Sequence, residues 1–314
     1  MMNLFDFAKK AHKLLPGHRS CAGCPAPIVA RAILSATDDE VVVSNATGCL
    51  EVVTTIYPQS SWNIPFIHNT FENAAATISG VETAYRSLKK SGRINQNRKI
   101  RFVAFGGDGG TYDIGLQSLS AALERGHTFT YVCYDNEGYM NTGGQRSSAT
   151  PIGANTTTDP VGEVRVGKQE SRKDLMKIVA AHHIPYAAQA SLSNWPDLLK
   201  KAQKALSTEG PSFLLVLSPC VAVWKIKPDM AVELSRLAVD TCFWPLYEIE
   251  DGKFRLNFDP AGNKLPIAEF LKHQGRYKHL LEPKNKKLLD RLQAEVDHEF
   301  EKIKKLSEIG ISVF

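Results

Sequence analysis

RFVAFGGDGGTYDIGLQSLSAALERGHTFTYVCYDNEGYMNTGGQ, residues 101–145, decides the fold. The apolar run at its start is too short for a core helix and is stopped by glycines, so 100–105 reads as a buried strand. Gly106, Gly107, Gly109 and Gly110 surround Asp108. Without side chains, their N–H groups can approach a phosphate where a helix begins. A helical pattern over 114–124 closes at Arg125-Gly126, and a second apolar run, 129–134, delivers Asp135-Asn136. Parallel topology brings both ends of this unit to one carboxyl edge of a sheet. There Asp108 offers an anionic oxygen, Asn136 a side-chain carbonyl and Gly138 a backbone carbonyl. With two diphosphate oxygens, these nearly complete the octahedron that Mg2+ demands. A lone Gly-Asp-Gly is more often a turn. Here 26 residues separate Gly109 from Asn136, and an Asn-Thr-Gly-Gly-Gln run follows at 141–145; the combination favours a cofactor site.

Outward from this unit, short β-branched runs continue to alternate with helical patterns. Strands are expected at 41–44, 100–105, 129–134, 185–189 and 213–217, and helices at 28–35, 74–89, 114–124, 173–182 and 195–206. The last helix is well bounded: Asn194 caps it, Pro196 suits its first turn, and Gly210-Pro211 stop the chain from continuing. The pattern is α/β, a doubly wound, mostly parallel sheet. From about residue 244 the texture changes to an acidic, glycine-bearing stretch (248–252), a loop rich in Pro and Asn, and a charged helix near 285–307. Residues 1–243 thus form the diphosphate-binding domain and 244–314 a C-terminal extension. The extension's helix carries Leu288, Leu289, Leu292, Val296 and Phe300 at helical spacing, which suits either packing on its own domain or a subunit-docking arm.

Four of the six cysteines follow expected strand ends or open a helix. Cys21 and Cys24 form a close pair ahead of Pro25, Cys49 lies past the first strand, and Cys220 lies past 213–217. Their thiolates can converge at the edge that carries the diphosphate loop. On spacing alone, structural zinc, a redox pair and an iron–sulfur cluster stay level, although zinc sites commonly use two close pairs and only one is present. Cys133 falls in a buried strand and Cys242 in an aromatic-rich segment, both as small apolar fillers.

Composition bounds the remaining choices. The 314 residues, 43% hydrophobic, can bury a substantial core, as expected of a soluble globular chain. The net charge of +5, from 38 basic and 33 acidic residues, is scattered, without the basic and aromatic interleaving of nucleic-acid binders. No stretch reaches the roughly 20 apolar residues of a membrane span. Lys9, Lys10 and Lys13 interrupt the apolar amino-terminal stretch, so no signal peptide is expected. A cytoplasmic chain follows, whose reduced cysteines serve metals or catalysis.

The Gly-Asp-Gly unit, its spacing to Asn136 and the 141–145 run closely resemble the thiamine diphosphate motif in β subunits of 2-oxoacid:ferredoxin oxidoreductases, of which pyruvate:ferredoxin oxidoreductase is the type. The resemblance extends from Gly17-His18-Arg19 to Lys278-His279-Leu280 and includes the loop RSSATPIGA (146–154). It implies a thiamine diphosphate-binding fold with Cys49, Gly107, Asp108, Gly109, Gly110, Asn136, Gly138, Asn141 and Thr142 around the cofactor. Asp108, Asn136 and Gly138 would bind Mg2+, and Cys21, Cys24, Cys49 and Cys220 one 4Fe-4S cluster. Asn141, whose family counterpart faces the substrate carboxylate, is the catalytic candidate, and His68 lies near the expected substrate pocket. His18 and Arg19 suit a loop role, and His182 and His183 end a helix. One departure is Cys24-Pro25-Ala26, where fused relatives carry Gly-Glu after the second cysteine.

The activity implied is oxidative decarboxylation of a 2-oxoacid, above all pyruvate, with electrons passed to ferredoxin. Two alternatives are an oxalate oxidoreductase β subunit, which cleaves oxalate to CO2 without coenzyme A, and a non-catalytic iron–sulfur electron-transfer subunit. The family's activating Glu belongs to a pyrimidine-binding domain that has no counterpart among these motifs, and no second cysteine cluster is present. The resemblance therefore implies an α-type catalytic subunit and a ferredoxin-like, multi-cluster subunit as partners.

Overall fold

The computed structural model describes residues 9–10 and 12–313. Residues 1–8, the start of the stretch in which no signal peptide is expected, lie outside the described residues. The elements, in chain order, are α1 (Ala26–Leu34), β1 (Glu40–Ala46), α2 (Cys49–Thr54), β2 (Phe66–Asn69), α3 (Ala74–Lys90), β3 (Ile100–Gly107), α4 (Leu116–Glu124), β4 (Thr130–Asp135), α5 (Leu175–Ala180), β5 (Tyr186–Ser191), α6 (Trp195–Ser207), β6 (Ser212–Leu217), α7 (Ala231–Asp240), β7 (Tyr247–Glu250), β8 (Lys253–Leu256), α8 (Ile267–Leu271) and α9 (Lys286–Ile309).

Among the described residues, eight strands form one sheet in the order β2-β1-β3-β4-β6-β5-β7-β8. The first six are parallel. The five parallel strands expected from the sequence are all present, and β2 is an addition. Period-two alternation divides their side chains between two cores. Phe102, Ala104, Tyr131, Cys133, Phe213 and Leu215 face one core, which α4, α5 and α7 cover. Val103, Phe105, Val132, Tyr134, Leu214 and Val216 face the other, under α1 and α6. Both faces are buried, which is why these strands read as unbroken apolar runs.

The chain runs outward from β1 to β2, then returns to β3 on the other side of β1. The carboxyl ends of β1 and β3 therefore flank the point where strand order reverses, the place where open α/β sheets bind ligands. Register sets the depth of this crevice. Gly107 lies beside Tyr134 and Asp135 beside Leu217, so β3, β4 and β6 end nearly level.

Beyond residue 244 the chain stays on the same sheet. β7 pairs antiparallel with β5, and β8 with β7. Asp251 (φ 48°) and Gly252 (φ 76°) make the turn between them, with the two positive φ values that a tight hairpin requires. Helix α9 buries Leu292, Val296, Phe300 and Ile303 in the core that also holds Phe102 and Ala104. It stops at Gly310 in the left-handed conformation. No helix among the described residues is long and apolar enough to cross a membrane.

Candidate active site at the carboxyl edge of the sheet

Asp108 follows β3 directly and is fully buried. Its Oδ1 accepts the Asn136 backbone N–H at 3.1 Å, and its Oδ2 accepts the Ser147 hydroxyl at 2.5 Å. The Asn136 side-chain oxygen stands 2.8 Å from Asp108 Oδ1 and 2.9 Å from the Gly138 carbonyl oxygen, with no donor between them. In this orientation the amide oxygen faces two further oxygens, which is repulsive unless a positive charge sits among them. The alternative orientation of the amide would let its NH2 donate to both oxygens. Octahedral Mg2+, with ligands near 2.0–2.1 Å, sets adjacent oxygens about 2.9 Å apart. The donor set and its spacing thus fit that ion. Burial pushes the Asp108 carboxyl well above the usual carboxylate range, and the Asp135 charge adds to this; the Ser147 and Asn136 hydrogen bonds oppose it. A divalent cation at the same oxygens would favour the carboxylate.

Above these oxygens is a small cleft of about 30 Å3, lined by Gly107, Gly109, Gly110, Gly138, Asn141 and Thr142 from the two loops, and by Thr47, Gly48, Cys49 and Phe71 across the crevice. A π-helical turn, Gly109–Ile114, leads from Asp108 into α4. A Cβ on Gly109 would lie 2.4 Å from the Tyr139 ring, and one on Gly110 would lie 2.9 Å from the Phe71 carbonyl oxygen. Neither position has room for a side chain. The 141–145 run folds back on itself: the Gly144 N–H donates to the Tyr139 carbonyl at 2.9 Å, and the Tyr139 N–H to the Gln145 carbonyl at 2.9 Å. Gly143 (φ 120°) and Gly144 (φ 79°) supply the backbone angles for that return. Asn141 and Thr142 are exposed at its tip.

Of the four cysteines singled out by spacing, Cys49 lines this cleft, and the charges of Cys220, Cys24 and Cys21 act on it. Cys21 is exposed, while Cys24, Cys49 and Cys220 are partly covered. Burial pushes the Cys24 thiol up to about 11, with the charges of Cys220 and Cys21 adding to it. Burial also takes Cys49 to about 12, helped by Cys220, Cys24 and Cys21. The thiols are therefore electrostatic neighbours. Among the described residues, no group of three His, Cys, Asp or Glu side chains is gathered as closely as a single metal ion would need. Cys133 and Cys242 lie apart, buried in the core.

Behind the cation loop is an ion cluster that has no sequence signature. Glu137, flanked by Asn136 and Gly138, adopts φ 65°, unusual outside glycine. Its fully buried carboxylate takes Arg276 on one oxygen and Arg172, at 3.3 Å, on the other. Arg172 also reaches Asp135 at 2.6 Å and Tyr112 at 2.7 Å. Arg276 lies 3.7 Å above the Trp224 ring, whose Nε1–H donates to the Asn136 carbonyl at 2.9 Å. Since Arg172 and Arg276 lie 35 and 139 residues from Glu137, no local pattern could announce them.

The remaining candidates fall nearby or elsewhere. His68 Nε2 is 2.9 Å from the Thr47 hydroxyl and 3.5 Å from the buried Glu51 carboxylate, at the crevice wall. His18 bonds the Ser20 hydroxyl at 2.7 Å, and His182 Nε2 is 2.7 Å from the Ser120 hydroxyl. A larger cavity, about 530 Å3, lies under α9 against Phe243, Trp244 and Tyr247, and none of the candidate ligands lines it.

Residues 46–216 match the family model of the thiamine pyrophosphate enzyme C-terminal, TPP-binding domain. The chain is 54% identical to the pyruvate synthase subunit PorB of Thermotoga maritima, over 97% of this chain and 95% of that one. It is 51% identical to the pyruvate synthase subunit PorB of Methanocaldococcus jannaschii, over 90% and 93%. Identity to the ketoisovalerate oxidoreductase subunit VorB of Pyrococcus abyssi is 42%, over 93% of each. Among solved structures, the fold matches a 2-oxoglutarate:ferredoxin oxidoreductase from Magnetococcus marinus with TM-score 0.56 and 19% identity, over 72% of this chain and 79% of that one. With the glycine-lined crevice, the cation loop and identity of this extent, the chain belongs to the family of 2-oxoacid:ferredoxin oxidoreductase β subunits that includes the pyruvate synthase PorB subunits.

Proposed function

We propose that this chain is the β subunit of a cytoplasmic oxidoreductase that decarboxylates pyruvate and passes the electrons to ferredoxin. Asp108, Asn136 and Gly138 hold Mg2+, and the backbone of Gly107, Gly109 and Gly110 receives the diphosphate of thiamine diphosphate. Cys49 and Thr142 border the cofactor, and Asn141 contacts the substrate carboxylate. Cys21, Cys24, Cys49 and Cys220 hold one 4Fe-4S cluster. The observation that carries this reading is the convergence, beside a glycine-lined cleft, of the Asp108 carboxylate and the Gly138 carbonyl on the Asn136 side-chain amide, at 2.8 and 2.9 Å. Bound thiamine diphosphate supplies the electron sink that lets a 2-oxoacid lose CO2. The chain's own part would be to hold the metal with Asp108, Asn136 and Gly138, to exclude water with the Phe71 and Tyr139 rings, and to offer the cysteine thiolates that would hold an electron-accepting cluster.

Pyruvate is chosen because the PorB relatives carry its name; the VorB relative shows that the same scaffold accompanies a branched 2-oxoacid. An α-type subunit would contribute the pyrimidine-activating carboxylate, and a ferredoxin-like subunit the outward relay. The test is cofactor analysis of the purified complex, alongside assays with pyruvate, 2-oxoisovalerate and oxalate, each with and without coenzyme A. Iron with acid-labile sulfide, thiamine diphosphate and pyruvate-dependent ferredoxin reduction are expected. Asp108→Ala should release thiamine diphosphate and Mg2+ while keeping iron; Cys49→Ser should lose iron, and Cys133→Ser should keep it. Zinc in place of iron, or Asp108→Ala with full thiamine content, would overturn the assignment.

A further inference from the structure

Tyr134, the last residue but one of β4, lines the same crevice, and the proposed chemistry gives it no role. Its ring lies over Gly107, with the nearest ring carbon 3.4 Å from where a Cβ would stand. Its hydroxyl is fully buried; the Leu50 backbone N–H faces it as a donor, but its own proton has no acceptor in the protein. A phenol in that state forgoes a bond worth about 1–3 kcal/mol, so an orphaned one needs an explanation. The bland partner would be Asn45, whose amide is also buried on this face of the sheet, but that amide is itself unpartnered on both atoms. What the hydroxyl does approach is the start of α2. It lies 2.9 Å from where a Cβ of Gly48 would stand, and Cys49 is the next residue. Tyr134 and Cys49 line the same cleft, and of the charges acting on the phenol that of Cys49 is the largest. Glycine at 48 is thus what leaves space for the hydroxyl at the start of α2, one residue from the thiol.

We infer that the Tyr134 hydroxyl donates a hydrogen bond to sulfur at Cys49 and thereby raises the reduction potential of the cluster held there. Tyr134 is a positioning and tuning residue, distinct from the ligands. A hydrogen bond to a ligating thiolate stabilises the reduced cluster, which carries one more negative charge. A higher potential at this cluster favours electron transfer out of the cofactor. The inference rests on the assignment of Cys49 as a cluster ligand, so the experiment must separate the two.

The experiment is a redox titration of the assembled complex, wild type and Tyr134→Phe, followed by electron paramagnetic resonance, with iron and thiamine measured on each sample. The variant loses one oxygen whose proton has no acceptor in the protein and keeps the ring in place, so it should keep its iron and thiamine. Its cluster should titrate at a more negative potential than that of the wild type. In the reduced wild-type cluster, an exchangeable proton coupling should be visible by electron–nuclear double resonance and absent from the variant. An iron-loaded variant with unchanged potential would overturn the inference alone. Were the variant to fail in assembly, absence of that proton coupling in the wild type would overturn it equally. A wild-type complex without iron would instead overturn the ligand assignment and the inference with it.

Discussion

At the scale of single residues, the least expected is Glu137. Its left-handed backbone and its two arginines turn the Asn136 side chain and the Gly138 carbonyl toward Asp108 together. Glu137→Gln keeps the shape but removes the charge that Arg172 and Arg276 neutralise, so the cation loop should loosen. A loss of about 10- to 100-fold in Mg2+ affinity is expected, typical for partners one shell behind a metal. Thiamine titrations at several Mg2+ concentrations, with cluster absorbance as the internal standard, check this; unaltered Mg2+ affinity would remove Glu137 from the site. The meeting of Asp108, Asn136 and Gly138 was legible in the sequence because one strand–helix–strand unit fixes their spacing. Glu137 lay between two of them and was passed over. Its meaning depends on Arg276, which arrives from the far end of the chain, and on Arg172, which no periodicity singles out. Ser147 and Tyr134 escaped for the same reason. A hydroxyl acquires a role only from the neighbour that folding gives it.

At the scale of elements, local sequence and tertiary pairing divide the work. The five parallel strands were readable because burial on both faces makes them continuous apolar runs. β2 was missed because its four residues, Phe66–Asn69, include His68 and Asn69 and take their strand character from pairing with β1. The hairpin of β7 and β8 was missed although its Asp251-Gly252 turn is a strong local signal; the acidic texture around it concealed the alternation. The loop before α1 offers a sharper test of how elements hold the proposed ligands. Gly23 has φ 76°, and a Cβ there would stand 1.9 Å from the Pro228 carbonyl oxygen, a backbone atom with little freedom to move. Gly23→Ala should therefore push the Cys21–Cys24 loop off the turn at Pro228. Iron content should fall severalfold while thiamine content changes little. Full iron occupancy in that variant would mean that the two backbones need not touch.

At the scale of the whole molecule, one sheet edge carries half of a reaction. The proposed metal and diphosphate ligands, with Cys49 and Cys220, lie where β1, β3, β4 and β6 end, yet no motif of the chain supplies the carboxylate that activates the pyrimidine ring, or a second cysteine set. The isolated chain, reconstituted with iron, sulfide, Mg2+ and thiamine diphosphate, should show no pyruvate-dependent reduction of an artificial acceptor. Adding its partner subunits should restore turnover. Robust activity of the chain alone would refute this division of labour. Trp224 makes the two cofactor loops answer to each other. Its backbone N–H donates to the Cys220 carbonyl at 3.0 Å while its indole N–H holds the Asn136 carbonyl at 2.9 Å. Damage at either loop alone would be felt on one supply; damage at this joint would be felt on two, so a subunit altered at Trp224 would present as short of iron and of its vitamin-derived cofactor at once.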